Sequence, residues 1–212
     1  MMATQQISRS AFSELVARAS ALADDGPRRM LGITGAPGAG KSTLARELVD
    51  AVGERAVLVP MDGFHLADAE LKRLGRWERK GAIDTFDGHG YVNALRRIHA
   101  ADEEVVYLPD FRRDLEEPIA GAIAVTAGVS LVVTEGNYLL AREQPWSAIV
   151  TVLDEVWYVD PPEDTRQERL IARHMTFGRP EAEAVGRSLG TDQVNADRIA
   201  ETRHLADLLV VG

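Results

Sequence analysis

Apolar positions along this chain follow two periods. Phe12, Leu15, Val16, Ala19 and Leu22 recur at helical spacing, so residues 10–24 predict an amphipathic helix. The cluster Asp24-Asp25-Gly26-Pro27 stops it. Met30-Leu31-Gly32-Ile33-Thr34 predicts a short buried strand, followed by a glycine loop and a helix from about Lys41 to Val52. Continuous apolar runs at 56–60, 130–134, 155–159 and 207–211 predict strands buried on both faces. Residues 104–108 and 119–126 predict two more, with a turn at Ala127-Gly128. Helical patterns fall at 66–75, 88–101, 162–177 and 180–204, the last interrupted near Gly186 to Thr191. Strands that alternate with helices predict a three-layer α/β/α architecture with a mostly parallel five-stranded sheet. Without repeats, low-complexity tracts or long linkers, residues 1–212 read as one domain.

Composition narrows the function classes. The absence of cysteine excludes thiolate metal sites and cysteine nucleophiles. A net charge of −9 argues against a nucleic-acid polymer as partner, since the chain lacks an excess of positive charge to hold one. No apolar run approaches the ~18 residues of a membrane helix, and the start MMATQQISRSAF has no apolar core of a signal peptide. The expectation is a cytoplasmic protein, free of membrane, with a homodimer as the default assembly. Only three lysines stand among 21 arginines, which makes the position of Lys41 informative.

That lysine ends the segment Gly35-Ala36-Pro37-Gly38-Ala39-Gly40-Lys41-Ser42, with Thr43 beyond it, which fits G-x-x-x-x-G-K-[ST]. Glycines let backbone N–H groups turn inward around a phosphate, and the helix that follows points its positive end at the same anion. Lys41 then reaches the outer phosphates and Ser42 ligates Mg²⁺. A strand before and a helix after supply the context this motif requires. ATP and Mg²⁺ are the implied cofactors.

Three predicted strands end in acids, Asp62, Glu135 and Asp160, at the sheet edge where ligands bind. Phosphoryl transfer to a hydroxyl needs one carboxylate to accept the proton and another to hold the metal. Asp62 suits the first task and shares the second with Ser42 and Glu135; Asp160 precedes two prolines and reads as a turn former. Arg166, Arg169 and Arg173 share one helical face, where guanidinium groups can stabilise the charge of a transferring phosphoryl group. Arg169 and Arg173 are expected on the phosphates and Arg166 near the acceptor. Arg179 extends this cationic set, and 163–180 reads as a hinged lid that excludes water.

From about Met30 to Arg179 the chain resembles the uridine kinase, phosphoribulokinase and pantothenate kinase superfamily. Met61-Asp62-Gly63-Phe64-His65, Arg79-Lys80-Gly81 and Asp84-Thr85-Phe86-Asp87 are similar to bacterial pantothenate kinases, a resemblance that implies Asp62 as catalytic base. Thr134-Glu135-Gly136-Asn137 resembles the family's E-G motif, whose glutamate works near the metal, and Asp164 to Arg173 resembles the uridine kinase lid helix. Gly81 and Asp114 stand where uridine kinases carry an aspartate and a histidine that contact substrate. The overall pattern, including Pro109-Asp110-Phe111-Arg112 and Glu135-Gly136-Asn137-Tyr138-Leu139, is most similar to a short bacterial group described as kinases of fructose uptake systems.

His65, Asp84, Asp110, Arg112 and Tyr138 fall just past strand ends or in loops, and together with Arg166 form the expected contact set for a hydroxyl-rich acceptor. The tryptophans read as packing groups. The expected activity is ATP-dependent phosphorylation of a small metabolite, a sugar or polyol first, a nucleoside or pantothenate-type alcohol second. A regulatory nucleotide switch is the alternative from another class.

Overall fold

The structure is a computed structural model that describes residues 4–212. Its centre is β2 (Arg29–Thr34), flanked by β6 (Leu131–Glu135) and β7 (Glu155–Asp160). β3 (Ala56–Pro60) lies outside β6; β8 (Leu208–Val211) and then β1 (Gln5–Ser8) lie outside β7. All five pairings are parallel. The five apolar runs do form one sheet, and β1 adds a sixth strand absent from the sequence reading. Only Ile7 of its four residues is buried, so it carries no hydrophobic pattern; the edge of β8 recruits it.

Alternate residues of the central strands feed two cores. Leu31, Ile33, Val133 and Trp157 meet Leu15 and Ala19 of α1 (Phe12–Asp24) and Leu44 and Leu48 of α2 (Lys41–Val52). Met30, Val132 and Tyr158 face the other way, in the core that contains Tyr91 and Leu95 of α4 (Gly88–Ala100). Both faces are covered, which is why these strands read as unbroken apolar runs.

The segments 104–108 and 119–126 leave the parallel sheet. They extend to β4 (Val105–Arg112) and β5 (Glu117–Thr126) and pair antiparallel as a separate hairpin. The predicted helix at 66–75 contracts to α3 (Asp68–Arg73), closed by a turn at Gly75. Past β7 the chain forms α5 (Glu163–Thr176), α6 (Glu181–Leu189) and α7 (Thr191–Ala200), and the break falls at Gly190. No helix among the described residues is long and apolar enough to cross a membrane.

Candidate active site

Parallel strands bring their carboxyl ends to one edge. Glu135 is in register with Pro60 of β3 and Ile33 of β2, so Asp62, Glu135 and the loop after Thr34 open together. In that loop Gly38 has φ +83°, and a Cβ there would stand 2.5 Å from the carbonyl oxygen of Arg166. Only glycine allows α5 to press so closely on the loop. Lys41 opens α2 as a buried residue and donates from Nζ to the carbonyl of Ala36 at 3.0 Å. Burial pushes its pKa down to about 8, against the pull of Glu135 in the other direction. It remains a cation at neutral pH.

Ser42 Oγ donates to Glu135 Oε1 at 2.9 Å. A hydroxyl and a carboxylate one hydrogen bond apart are hard oxygen donors of the kind Mg²⁺ takes, beside a cradle that side chains would fill. The residues present therefore fit a magnesium-bound triphosphate. Thr43 lies exposed one residue further along α2. Burial raises the pKa of Glu135, and the negative charge of Asp62 adds to it; Lys41 and Ser42 work against both.

Asp62 sits in the 3-10 turn Met61–Phe64 directly after β3. The turn needs Gly63, whose added Cβ would stand 2.3 Å from the carbonyl of Pro109, because β4 passes backbone to backbone. From just past the end of β4, Arg113 Nη2 approaches Asp62 Oδ2 at 3.5 Å. His65 Nδ1 lies 2.9 Å from the carbonyl oxygen of Asp62. A carbonyl only accepts, so Nδ1 carries the proton. Burial holds the ring below its ordinary pKa despite the nearby Asp62 carboxylate, which leaves Nε2 as a hydrogen-bond acceptor.

The arginines of α5 separate. Arg166 is 2% exposed; it donates to the carbonyl of Pro37 at 2.9 Å and to Gln193 at 2.6 Å, and pairs with Glu163. It braces the phosphate loop from behind and does not line the cleft, a correction to its expected acceptor role. Arg169 lies beside the loop, with Nη1 3.6 Å from where a Cβ of Gly40 would be. Arg173 lines the cleft, as does Arg179, which is paired with Glu183.

Of the expected acceptor set, His65 lines the cleft and the others do not. Asp84 is taken by Arg79 at 2.5 and 2.6 Å, Arg112 by Asp114 at 2.8 Å, and Asp110 accepts from the amide of Phe111 at 2.9 Å. Tyr138 is buried and donates to the carbonyl of Gly81 at 2.7 Å. These are structural bonds that a linear reading cannot tell from ligand contacts. In their place the cleft, of about 890 Å³, takes in Trp77, Lys80, Phe111, Arg113, Arg187 and the His174–Asp192 pair. Arg113 had one signal: neighbours at the end of a strand point to opposite faces, so one of Arg112 and Arg113 was bound to turn inward. The rest come from loops and helices whose approach only packing sets.

Comparison with known proteins agrees with this geometry. The chain matches no family model. It is 30% identical to "Putative uridine kinase C227.14" of Schizosaccharomyces pombe over 95% of this chain and 90% of that one. It is 33% identical to "ATP-dependent kinase-like protein notR'" of Aspergillus versicolor over 72% of this chain and 94% of the other. Among solved structures, a "putative fructose transport system kinase" from Silicibacter sp. TM1040 superposes with a TM-score of 0.77 and 34% identity, over 90% of this chain and 98% of that one. A phosphate loop, two acids at adjacent strand ends and relatives of matching length lead to one conclusion: the chain belongs to the P-loop kinases of the uridine kinase and pantothenate kinase group, and it is a kinase of small molecules.

Proposed function

We propose that the chain transfers the terminal phosphoryl group of Mg-ATP to a hydroxyl of a small sugar or related polyol, with Asp62 as general base. One observation carries this reading: Asp62, Glu135, Ser42 and Lys41 line a single cleft at the carboxyl edge of the sheet. The 35–42 loop and Lys41 would hold the phosphates, with Ser42 and Glu135 on the metal. When bound, Mg-ATP supplies the phosphoryl group and neutralises part of its charge. Asp62 takes the proton of the acceptor hydroxyl, and His65 Nε2 accepts a hydrogen bond from a second hydroxyl. Arg173 and Arg169 offset the negative charge that spreads over the phosphoryl oxygens. Closure of α5 and α6 over the cleft excludes water and limits wasteful hydrolysis. The name of the Silicibacter protein supports a sugar acceptor. That of the fission-yeast relative puts a nucleoside second.

The test is Mg-ATP turnover against sugars, polyols, nucleosides and pantothenate, with Asp62→Asn alongside. One metabolite should raise ADP release well above background, and the variant should abolish the rise. Hydrolysis that no metabolite stimulates, and that the variant leaves intact, would instead favour a nucleotide-driven switch.

A further inference from the structure

Three tryptophans are present, and two are core: Trp146 is 3% exposed and Trp157 is fully buried. Trp77 is 41% exposed and lines the cleft. A large indole left open to water in a polar cleft is surface that a ligand can cover. We propose that Trp77, held edge-on by Asp68, is the platform on which the closed ring of a sugar acceptor lies. The inference rests on the kinase reading above and narrows its acceptor from sugars and polyols to ring sugars.

The indole is fixed in orientation. Its Nε1–H donates to Asp68 Oδ2 at 3.0 Å, and the second oxygen of the same carboxylate accepts from Lys80 Nζ at 2.6 Å. Burial pushes the Asp68 carboxyl up, but hydrogen bonds from Lys80 and Trp77 outweigh it and keep the group ionised. Lys80 also donates to the carbonyl of Glu116 at 2.5 Å and lies 5.2 Å from the Phe111 ring centre, which ties the platform to the hairpin. Lys72 stands over the indole, 5.1 Å from the ring centre.

The segment that carries Trp77 is braced from several sides. Arg76 donates to the carbonyl of Asp84 at 2.8 Å, Arg79 forks onto the Asp84 carboxylate, and Tyr138 reaches the carbonyl of Gly81. From α6, Arg187 donates to the carbonyl of Lys80 at 3.1 Å. A preorganised aromatic face loses little entropy when a ligand settles on it. A sugar ring offers what this surface matches, a C–H face for the indole and hydroxyls at its edge for the charged rim of Asp68, Glu78 and Lys80. An acyclic polyol has no such face.

Trp77 is the one indole open to solvent among three, so acrylamide quenching of tryptophan fluorescence reads it directly. With the full chain, millimolar D-fructose, D-glucose or D-ribose should protect the indole, and at least one should lower the quenching slope about twofold; ribitol should not. The Trp77→Phe variant should lose the quenchable component. In turnover, Trp77→Ala should raise the acceptor KM about tenfold or more, with the loss in KM rather than kcat, and Trp77→Phe should recover most of it. Asp68→Ala, with the indole present but untethered, should raise the same KM.

The platform is overturned if no ring sugar protects the indole, if ribitol protects it equally, or if uridine protects while free sugars do not. It is also overturned if Trp77→Ala turns over with an unchanged acceptor KM. The two readings fail separately. Protection of Trp77 by a sugar with turnover indifferent to Asp62→Asn would sink the base and keep the platform; the reverse pattern would sink the platform and keep the kinase.

Discussion

Ser42 Oγ donates to Glu135 Oε1 across 2.9 Å, so the first turn of α2 is tied to the last residue of β6. The bond fixes two oxygen donors beside the phosphate loop. Glu135→Gln keeps an acceptor for Ser42 but removes the charge a divalent cation needs. Turnover should fall about a hundredfold, and added chelator should abolish it in the parent. Steady-state rates at graded Mg²⁺ check this: the variant should demand more metal for half-maximal rate.

Lys41 should set a pH limit on nucleotide use. Its pKa in the free protein is pushed down to about 8, so the charged form that attracts phosphate is lost as pH rises through that value. The kcat/KM for ATP should therefore hold below pH 8 and fall above it, approaching tenfold per pH unit. Arginine stays protonated across this range, so Lys41→Arg should be slower but show no descent near pH 8. A descent at the same place in the variant would assign the limb to another group.

Arg166 is a structural cation. Replacing it with alanine leaves the carbonyl of Pro37 without its donor, leaves Gln193 with only the longer bond from Gln167, and opens space where α5 meets the phosphate loop. The expected cost is about 2–3 kcal/mol. Denaturant unfolding should show it, together with weaker ATP binding. Equal stability with weakened acceptor binding would return Arg166 to the acceptor role.

A buried relay supports the strand that delivers Glu135. Thr134 Oγ1 donates to the carbonyl of Val59 at 2.6 Å, so it accepts from the Tyr91 hydroxyl, also at 2.6 Å. Tyr91→Phe removes one bond and should cost about 1 kcal/mol. Thr134→Val deprives two buried groups of a partner and should cost about 2–3 kcal/mol. Unfolding titrations of both variants test the order.

Parts of this protein follow from local rules and are legible in the order of its residues. The phosphate loop was legible because its glycine spacing and the helix behind it are a local geometry. The five buried strands were legible because burial on both faces leaves unbroken apolar runs, and once they were read as parallel, Asp62 and Glu135 had to share an edge. The direction of long polar side chains, by contrast, is set by packing between segments distant along the chain. Helical spacing put Arg166, Arg169 and Arg173 on one face, but the packing of α5 against Gly38 buried the first behind the loop and left the last in the cleft. Asp84 and Arg112 had the chemistry of ligand contacts and were consumed by neighbouring charges. Trp77 and Lys80 carried no periodic signal, and for Arg113 strand alternation left the choice between it and Arg112 open. They reach the cleft through a braced loop and a hairpin held by long-range bonds, and no rule of spacing along the chain encodes such contacts.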